Sequence, residues 1–244
     1  MESQTPAHSP SQVPVIGLAH ATADDLAVAE TALHLAEREV LERLTVPKRR
    51  RDWLLGRLAA KRALVQVSPV AVSLRDVAIR RGEDGRPVFA LPHHALAEWS
   101  LSLSHTGGWA VAIAAPYPIG IDLEGLRPIN PATHRFFMQR SEQTALAAGA
   151  WGDDASLAVW GIKEAAFKLL GGQATGLHAL CLGQLHQDTV AVRYAGGRVV
   201  AHWRRNDGFG LAIAHADGAP VSPVAMQDLV RQTLDTIETG VNRV

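Results

Sequence analysis

Residues 101–124 read LSLSHTGGWAVAIAAPYPIGIDLE, and this stretch decides the architecture. Leu101-Ser-Leu-Ser alternates apolar and polar, and His105-Thr-Gly-Gly bends the chain. Trp109 to Ala115 is uncharged and extended. After Pro116 and Pro118, Ile119-Gly-Ile-Asp-Leu-Glu makes a third short run. Three short strands in such close succession predict an antiparallel sheet.

Working toward the N-terminus, Val88-Phe-Ala-Leu and the alternating β-branched run from Val72 to Arg80 predict two more strands, joined by the turn cluster GEDGRP at 82–87. Before them the period changes to helical. Leu26, Leu33, Leu35, Val40, Leu41 and Leu44 recur among Glu and Arg, predicting one helix from Asp24 to about Leu44, with Thr22 or Asp24 as its cap. Pro47 ends it. A second helix, Arg49 to Val65, sets Trp53, Leu54, Leu58 and Leu64 against a basic side of Lys48, Arg49, Arg50, Arg51, Arg57, Lys61 and Arg62. Its Gly56, Ala59 and Ala60 admit the close approach of another element.

Toward the C-terminus, helical patterns run from near Arg140 to Ala150 and from Asp154 to Leu170, the latter stopping at Gly171-Gly172. Strands resume at Thr189–Tyr194, Arg198–Trp203 and Gly208–His215, with a hairpin cue at Gly196-Gly197. Val224 to Thr239 reads as a final amphipathic helix. The order of helices, sheet, helices, sheet predicts an α+β fold of two similar halves in pseudo-twofold arrangement, with the active site in the cleft between them. The expected divisions are a disordered polar tail at 1–12, halves at 13–117 and 118–218, and a C-terminal helical extension at 219–244.

A length of 244 residues fits one large domain or two small ones, and 47% apolar residues excludes wholesale disorder. With 24 basic and 24 acidic side chains, the zero net charge argues against non-specific attraction to nucleic acid or an anionic membrane. The single cysteine, Cys181, allows no internal disulfide and no CxxC redox or zinc site. No run reaches the roughly 18–20 apolar residues of a membrane helix, and the start lacks a secretory pattern. A cytoplasmic monomer is expected.

Three groups of residues can carry chemistry. On a strand, Asp122 and Glu124 at i and i+2 point to one face, where converging carboxylates repel unless a cation sits between them; hard oxygen donors suit Mg²⁺. The same pair also fits an exposed strand end. Trp160, Glu164 and Lys168, at i, i+4 and i+8, share one stripe of a helix whose apolar face fixes its direction, with Lys163 beside Glu164. This set can complete a metal site and grip phosphate, or form an ordinary surface pair. Ser102-Leu-Ser104-His105-Thr-Gly-Gly can offer an anion several donors, or simply cap its own turn. His93-His94 reads as loop, and GxGxxG, P-loop and GxSxG patterns are absent.

Taken together, SLSHTGGWAVA, PIGIDLE and, about 35 residues on, WGIKEAAFK resemble the Sfp-like 4′-phosphopantetheinyl transferases. That family carries a Gly-(Ile/Val)-Asp-x-Glu strand and a Trp-x-x-Lys-Glu-Ala-x-x-Lys helix. Gly85-Arg86-Pro87 resembles the family's Gly-(Lys/Arg)-Pro turn, and the helix containing Arg50, Gly56, Arg57 and Lys61 resembles its early basic helix. The resemblance covers roughly residues 30–215; a longer segment at 172–178 and the extension after about 216 depart from the family's pattern.

The resemblance implies transfer of the phosphopantetheine arm of coenzyme A to a serine of an apo acyl or peptidyl carrier protein, releasing 3′,5′-ADP. It implies Mg²⁺ held by Asp122, Glu124 and Glu164, with Glu164 also as the base for the carrier serine. Lys168 is implied to stabilise the departing ADP and Lys163 to steady the pyrophosphate. Arg57, Lys61, Arg86, Ser104 and His105 are implied to form the nucleotide pocket. Phe136, Phe137 and Met138, between Arg135 and Arg140, are candidates for carrier docking or for core. The rival reading from the carboxylates and lysine alone is a Mg²⁺-dependent nuclease; neutral charge and the lack of interleaved aromatic and basic residues speak against it.

Overall fold

The computed structural model describes residues 13–68, 71–90, 99–149, 151, 155–183 and 189–240. The expected tail at 1–12, His93-His94 and the start of the helix at Asp154 lie outside them.

The chain builds one arrangement twice. In the first half β1 (Val15–His20), β5 (Trp109–Ala115) and β4 (Ser100–Thr106) form an antiparallel sheet in the order β1-β5-β4, flanked by the hairpin β2 (Ala78–Arg81) and β3 (Pro87–Ala90). In the second half the order is β6 (Ile119–Gly125), β10 (Phe209–Ala216), β9 (Gly197–Arg205), β8 (Thr189–Tyr194) and β7 (Cys181–Leu182). Each sheet carries a long helix on one face: α3 (Pro47–Val67) in the first half, α6 (Ala155–Leu170) in the second.

Glycines on the outer strands permit that packing. A Cβ at Gly17 of β1 would stand 2.0 Å from the Ala59 carbonyl of α3, and one at Gly120 of β6 would stand 2.0 Å from the Ala165 carbonyl of α6. Strand and helix backbones touch there, and Ala59 of the small-residue set takes that contact.

Several expectations change. The helix expected over 24–44 is two, α1 (Ala23–Thr31) and α2 (Leu35–Glu42). The break belongs to a capping box, in which the His34 ring accepts from the Ala36 amide and Glu37 accepts from the His34 amide. Pro47 opens α3 rather than only ending its predecessor, because a first-turn proline forfeits no helical hydrogen bond. The strand expected from Val72 begins only at Ala78, after a tight helical turn at Leu74–Asp76. A short helix α4 (His134–Phe137) precedes α5 (Arg140–Ala147).

The sheet expected from three consecutive strands is also revised. β4 and β5 pair, but β6 pairs with β10, the register placing Asp122 opposite Ala212. What joins β4 to β6 is side chain to backbone: Ser100 Oγ accepts from the Ile119 amide at 3.3 Å, and Ser102 Oγ from the Ile121 amide at 3.1 Å. Alternating serines of one half thus stitch the seam to the other. Behind the seam, Val111 and Ile113 meet Ile121, Leu211 and Ile213. Met226, Val230 and Leu234 of α7 (Pro223–Thr239) join them, so the C-terminal extension closes a core shared by both halves.

Candidate functional site

The seam is where the predicted stripe meets the predicted strand. Along α6, Trp160 Nε1 donates to Glu124 Oε1 at 2.7 Å, and Lys168 Nζ donates to Asp122 Oδ1 at 2.7 Å. The helix stripe and the β6 face therefore lie against each other, with Glu164 between those two contacts in sequence. Asp122, 4% exposed, has a crowded oxygen and a solitary one. Oδ1 also receives the Ser104 hydroxyl at 2.9 Å, whereas Oδ2 is buried with no hydrogen-bond partner among the described residues.

Glu164 is half-buried. Burial pushes its carboxyl above the usual range; Lys168 pulls it down, while the charges of Asp122 and Glu124 push it up further. Glu124 has both oxygens engaged, the second by Arg127 at 2.6 Å. No group of three His, Cys, Asp or Glu is gathered closely enough to hold a metal among the described residues. Asp122 and Glu164 nevertheless suit a divalent cation: an orphaned buried oxygen and mutually repelling carboxylates are what such an ion relieves. Glu124 accepts one hydrogen bond on each oxygen, so a cation there would compete with the Arg127 guanidinium for the second.

Two cavities flank β4 and share Arg57 and Leu103. One, of about 580 Å³, is lined among others by Arg80, Arg81, Arg86, Phe167, Lys168 and Gly171. The other, of about 560 Å³, is lined among others by Lys48, Asp52, Trp53, Ser104 and His105. Arg86 is anchored by Asp84 and by the Leu169 carbonyl at 2.9 Å, a cation at the carbonyl end of α6. Gly171 follows in the left-handed region at φ +53°, where a Cβ would strike the Arg86 guanidinium. The Arg57 guanidinium lies 4.3 Å from the Trp53 ring centroid, and His105 is 53% exposed with Nδ1 3.9 Å from Asp52.

Two expected site lysines are elsewhere. Lys163 is 0% exposed and donates to Glu142 at 2.6 Å and to the Phe137 and Leu180 carbonyls, each at 2.7 Å. It cannot steady a pyrophosphate, because all three of its N–H groups are used in the core of the second half. Lys61 repeats this in the first half, donating to Glu37 at 2.6 Å and to the Ala32 and Leu74 carbonyls. It is likewise removed from the nucleotide pocket. Phe137 and Met138 are buried, at 1% and 0% exposure, leaving Phe136 as the open ring of that trio.

Sequence reasoning passed over Asp52, Arg80, Arg81 and Phe167 as cleft residues. Arg80 and Arg81 carried a signal: paired with Val88 and Pro87, they flank the Gly85-Arg86-Pro87 turn and add charge to the same hairpin.

A model of the 4′-phosphopantetheinyl transferase N-terminal domain matches residues 36–115, and a model of the 4′-phosphopantetheinyl transferase superfamily matches residues 118–214. Among curated proteins, the 4′-phosphopantetheinyl transferase psf-1 of Bacillus pumilus is 29% identical over 123 residues, 50% of each chain. The 4′-phosphopantetheinyl transferase gsp of Aneurinibacillus migulanus is 28% identical over 120 residues, 48% of this chain and 47% of the other. The chain thus spans about half the length of the curated relatives it matches. A solved holo-(acyl-carrier-protein) synthase from Bacillus anthracis, in complex with CoA (3′,5′-ADP), aligns with 43% of this chain and 96% of its own at 23% identity and a TM-score of 0.34.

Proposed function

The chain belongs to the 4′-phosphopantetheinyl transferase superfamily, and from that premise we propose that it transfers phosphopantetheine from coenzyme A to a serine of an apo carrier protein. The observation that carries the proposal is the seam itself. Asp122 is pinned through one oxygen by residues of β4 and α6, with its other oxygen free and Glu164 within electrostatic reach, beside a cavity rich in arginine.

In this reading Asp122 and Glu164 would hold Mg²⁺, joined by Glu124, whose second oxygen Arg127 shares. The ion supplies charge neutralisation at the pyrophosphate. Glu164 takes the proton of the carrier serine as its oxygen forms the new bond to the β-phosphorus of coenzyme A. The phosphoanhydride bond to 3′,5′-ADP breaks, and its electron pair stays on the departing oxygen. In the metal-free site, burial and the charges of Asp122 and Glu124 hold the Glu164 carboxyl above its ordinary range.

Lys168 spends two of its three N–H groups on Asp122 and the Ile121 carbonyl, which leaves one for the departing phosphate. Arg57, Arg86 and His105 are set around the cavities to hold the nucleotide, the part of the substrate that does not react. Phe136, 66% exposed with Arg135 against its ring, offers an apolar contact with a basic edge to an acidic carrier.

The protein acts as a cytoplasmic monomer in this account, since one chain supplies both walls of the cleft. No helix is long and apolar enough to cross a membrane among the described residues, and the balanced charge gives no footprint for nucleic acid.

The test is incubation with coenzyme A, Mg²⁺ and a panel of apo carrier proteins, read by mass spectrometry. A mass gain on a carrier serine with release of 3′,5′-ADP is expected. Plasmid cleavage without any carrier modification overturns the reading in favour of a nuclease.

A further inference from the structure

We propose that Ser104 is a positioning residue for the metal-binding carboxylate rather than a contact to the nucleotide, an inference that rests on the metal reading above. A serine hydroxyl has one proton to donate, and an ionised carboxylate only accepts. Ser104 Oγ lies 2.9 Å from Asp122 Oδ1, so its proton belongs to that bond. A phosphate, which also only accepts, finds no donor left on the Ser104 hydroxyl. The more exposed His105, next along β4, keeps its ring open to the cavity.

The second step is what the bond does to Asp122. Oδ1 receives two donors, Ser104 from the first half and Lys168 from the second, and Oδ2 receives none among the described residues. The two donors come from different elements and hold the carboxylate in one rotation. Oδ2 is thereby fixed as the oxygen available to a cation. Ser104 is also the last rung of the series in which Ser100 and Ser102 accept β6 amides. Alternation along β4 delivers its hydroxyl to the same seam, but two residues further on it meets a side chain instead of an amide. The stitching that joins the halves and the orientation of the metal-binding carboxylate are therefore one device.

Hydrogen bonds to a metal-ligating carboxylate typically change metal affinity by roughly 10–100-fold when removed. The test titrates Mn²⁺ into the wild-type protein, Ser104→Ala and Ser104→Thr at saturating coenzyme A, following water proton relaxation, and separately measures the KM for coenzyme A and for dephospho-coenzyme A. Ser104→Ala should weaken Mn²⁺ binding roughly 10–100-fold while keeping the wild-type preference for coenzyme A over dephospho-coenzyme A. Ser104→Thr, which retains the hydroxyl, should recover most of the Mn²⁺ affinity. Unchanged Mn²⁺ affinity in Ser104→Ala, or loss of its preference for the 3′-phosphate, overturns the positioning role. A wild-type protein that binds no Mn²⁺ overturns the metal reading itself, and this inference with it. A Ser104→Ala protein whose melting temperature collapses is replaced by Ser104→Cys in the same titration, with the same weakening expected from its poorer donor.

Discussion

Lys61 and Lys163 sit in matching surroundings, one in each half. Each is wholly buried, each pairs with the N3 glutamate of a capping box, and each donates to two carbonyls. Both glutamates also accept a strand amide, from Ile79 in one half and Leu182 in the other. The next residue along each helix breaks the likeness. Arg62 turns to Asp25 and the Leu18 carbonyl of β1, a closed structural pair. Glu164 feels the charges of Asp122, Glu124 and Lys168 and has no side-chain hydrogen bond to close it among the described residues. The duplicated lysine and glutamate are scaffold; the chemistry lies in what the second half places beside them.

The equivalence of the two lysines makes the largest stability prediction. Removing one partner of a buried ion pair strands the other, so Lys61→Met and Lys163→Met should each cost about 3–5 kcal/mol in urea unfolding. A cost under about 1 kcal/mol in either half breaks the likeness. The folded fraction of Lys163→Met should keep the wild-type KM for coenzyme A; a raised KM would return Lys163 to the site.

The second half has a matching contrast in its phenylalanines. Phe137→Ala empties a core position and should cost about 3–5 kcal/mol, whereas Phe136→Ala should stay within about 0.5 kcal/mol in the same measurement. If the ring at 136 serves a carrier, its loss raises the carrier KM alone.

A smaller effect is confined to the second half. His202 and His215 are buried with Nε2 atoms 3.1 Å apart. Burial first, then the charge of its neighbour, pushes His202 down to about 4. The unfolded chain therefore binds the proton more readily. This contribution is complete above pH 6.5, the ordinary histidine value, and is lost as pH falls toward 4, by up to a few kcal/mol. Calorimetry from pH 7 to pH 4.5 should show a falling melting temperature, and His202→Gln should flatten that slope. An unchanged slope in the variant removes the pair as its cause.

The smallest effect concerns Glu124. An exposed ion pair is worth about 0.2–1 kcal/mol, so Arg127→Ala should lower the Mg²⁺ concentration at half-maximal rate by no more than about fivefold. A rise would mean that Arg127 holds Glu124 in place for the metal.

Much of the site was legible because its spacing is local. The i, i+4, i+8 stripe of Trp160, Glu164 and Lys168 and the i, i+2 pair of Asp122 and Glu124 meet as the two periods require. Lys163 departs from the expected site because adjacency in sequence is not adjacency in space. On a helix, neighbours i and i+1 point about 100° apart, and the partner of Lys163 is Glu142, on another helix. The readable clue was His34-x-x-Glu37 and Gln139-x-x-Glu142, each a capping box placed before a long helix with a lysine on its apolar side. The transfer of β6 to the second sheet left no local mark. It depends on β10, some 90 residues downstream, and on serine side chains that look like ordinary strand polarity.

The central claim is that the unclosed carboxylate of the second half, Glu164, does the chemistry while the scaffold beside it does none. The most direct measurement is the single-turnover rate of 3′,5′-ADP release by Glu164→Gln at saturating Mg²⁺, coenzyme A and carrier, with the melting temperature recorded alongside. Loss of a general base predicts a fall of about 10²–10⁴-fold with the melting temperature preserved. A rate within about threefold of wild type would contradict the assignment and leave the seam without its base.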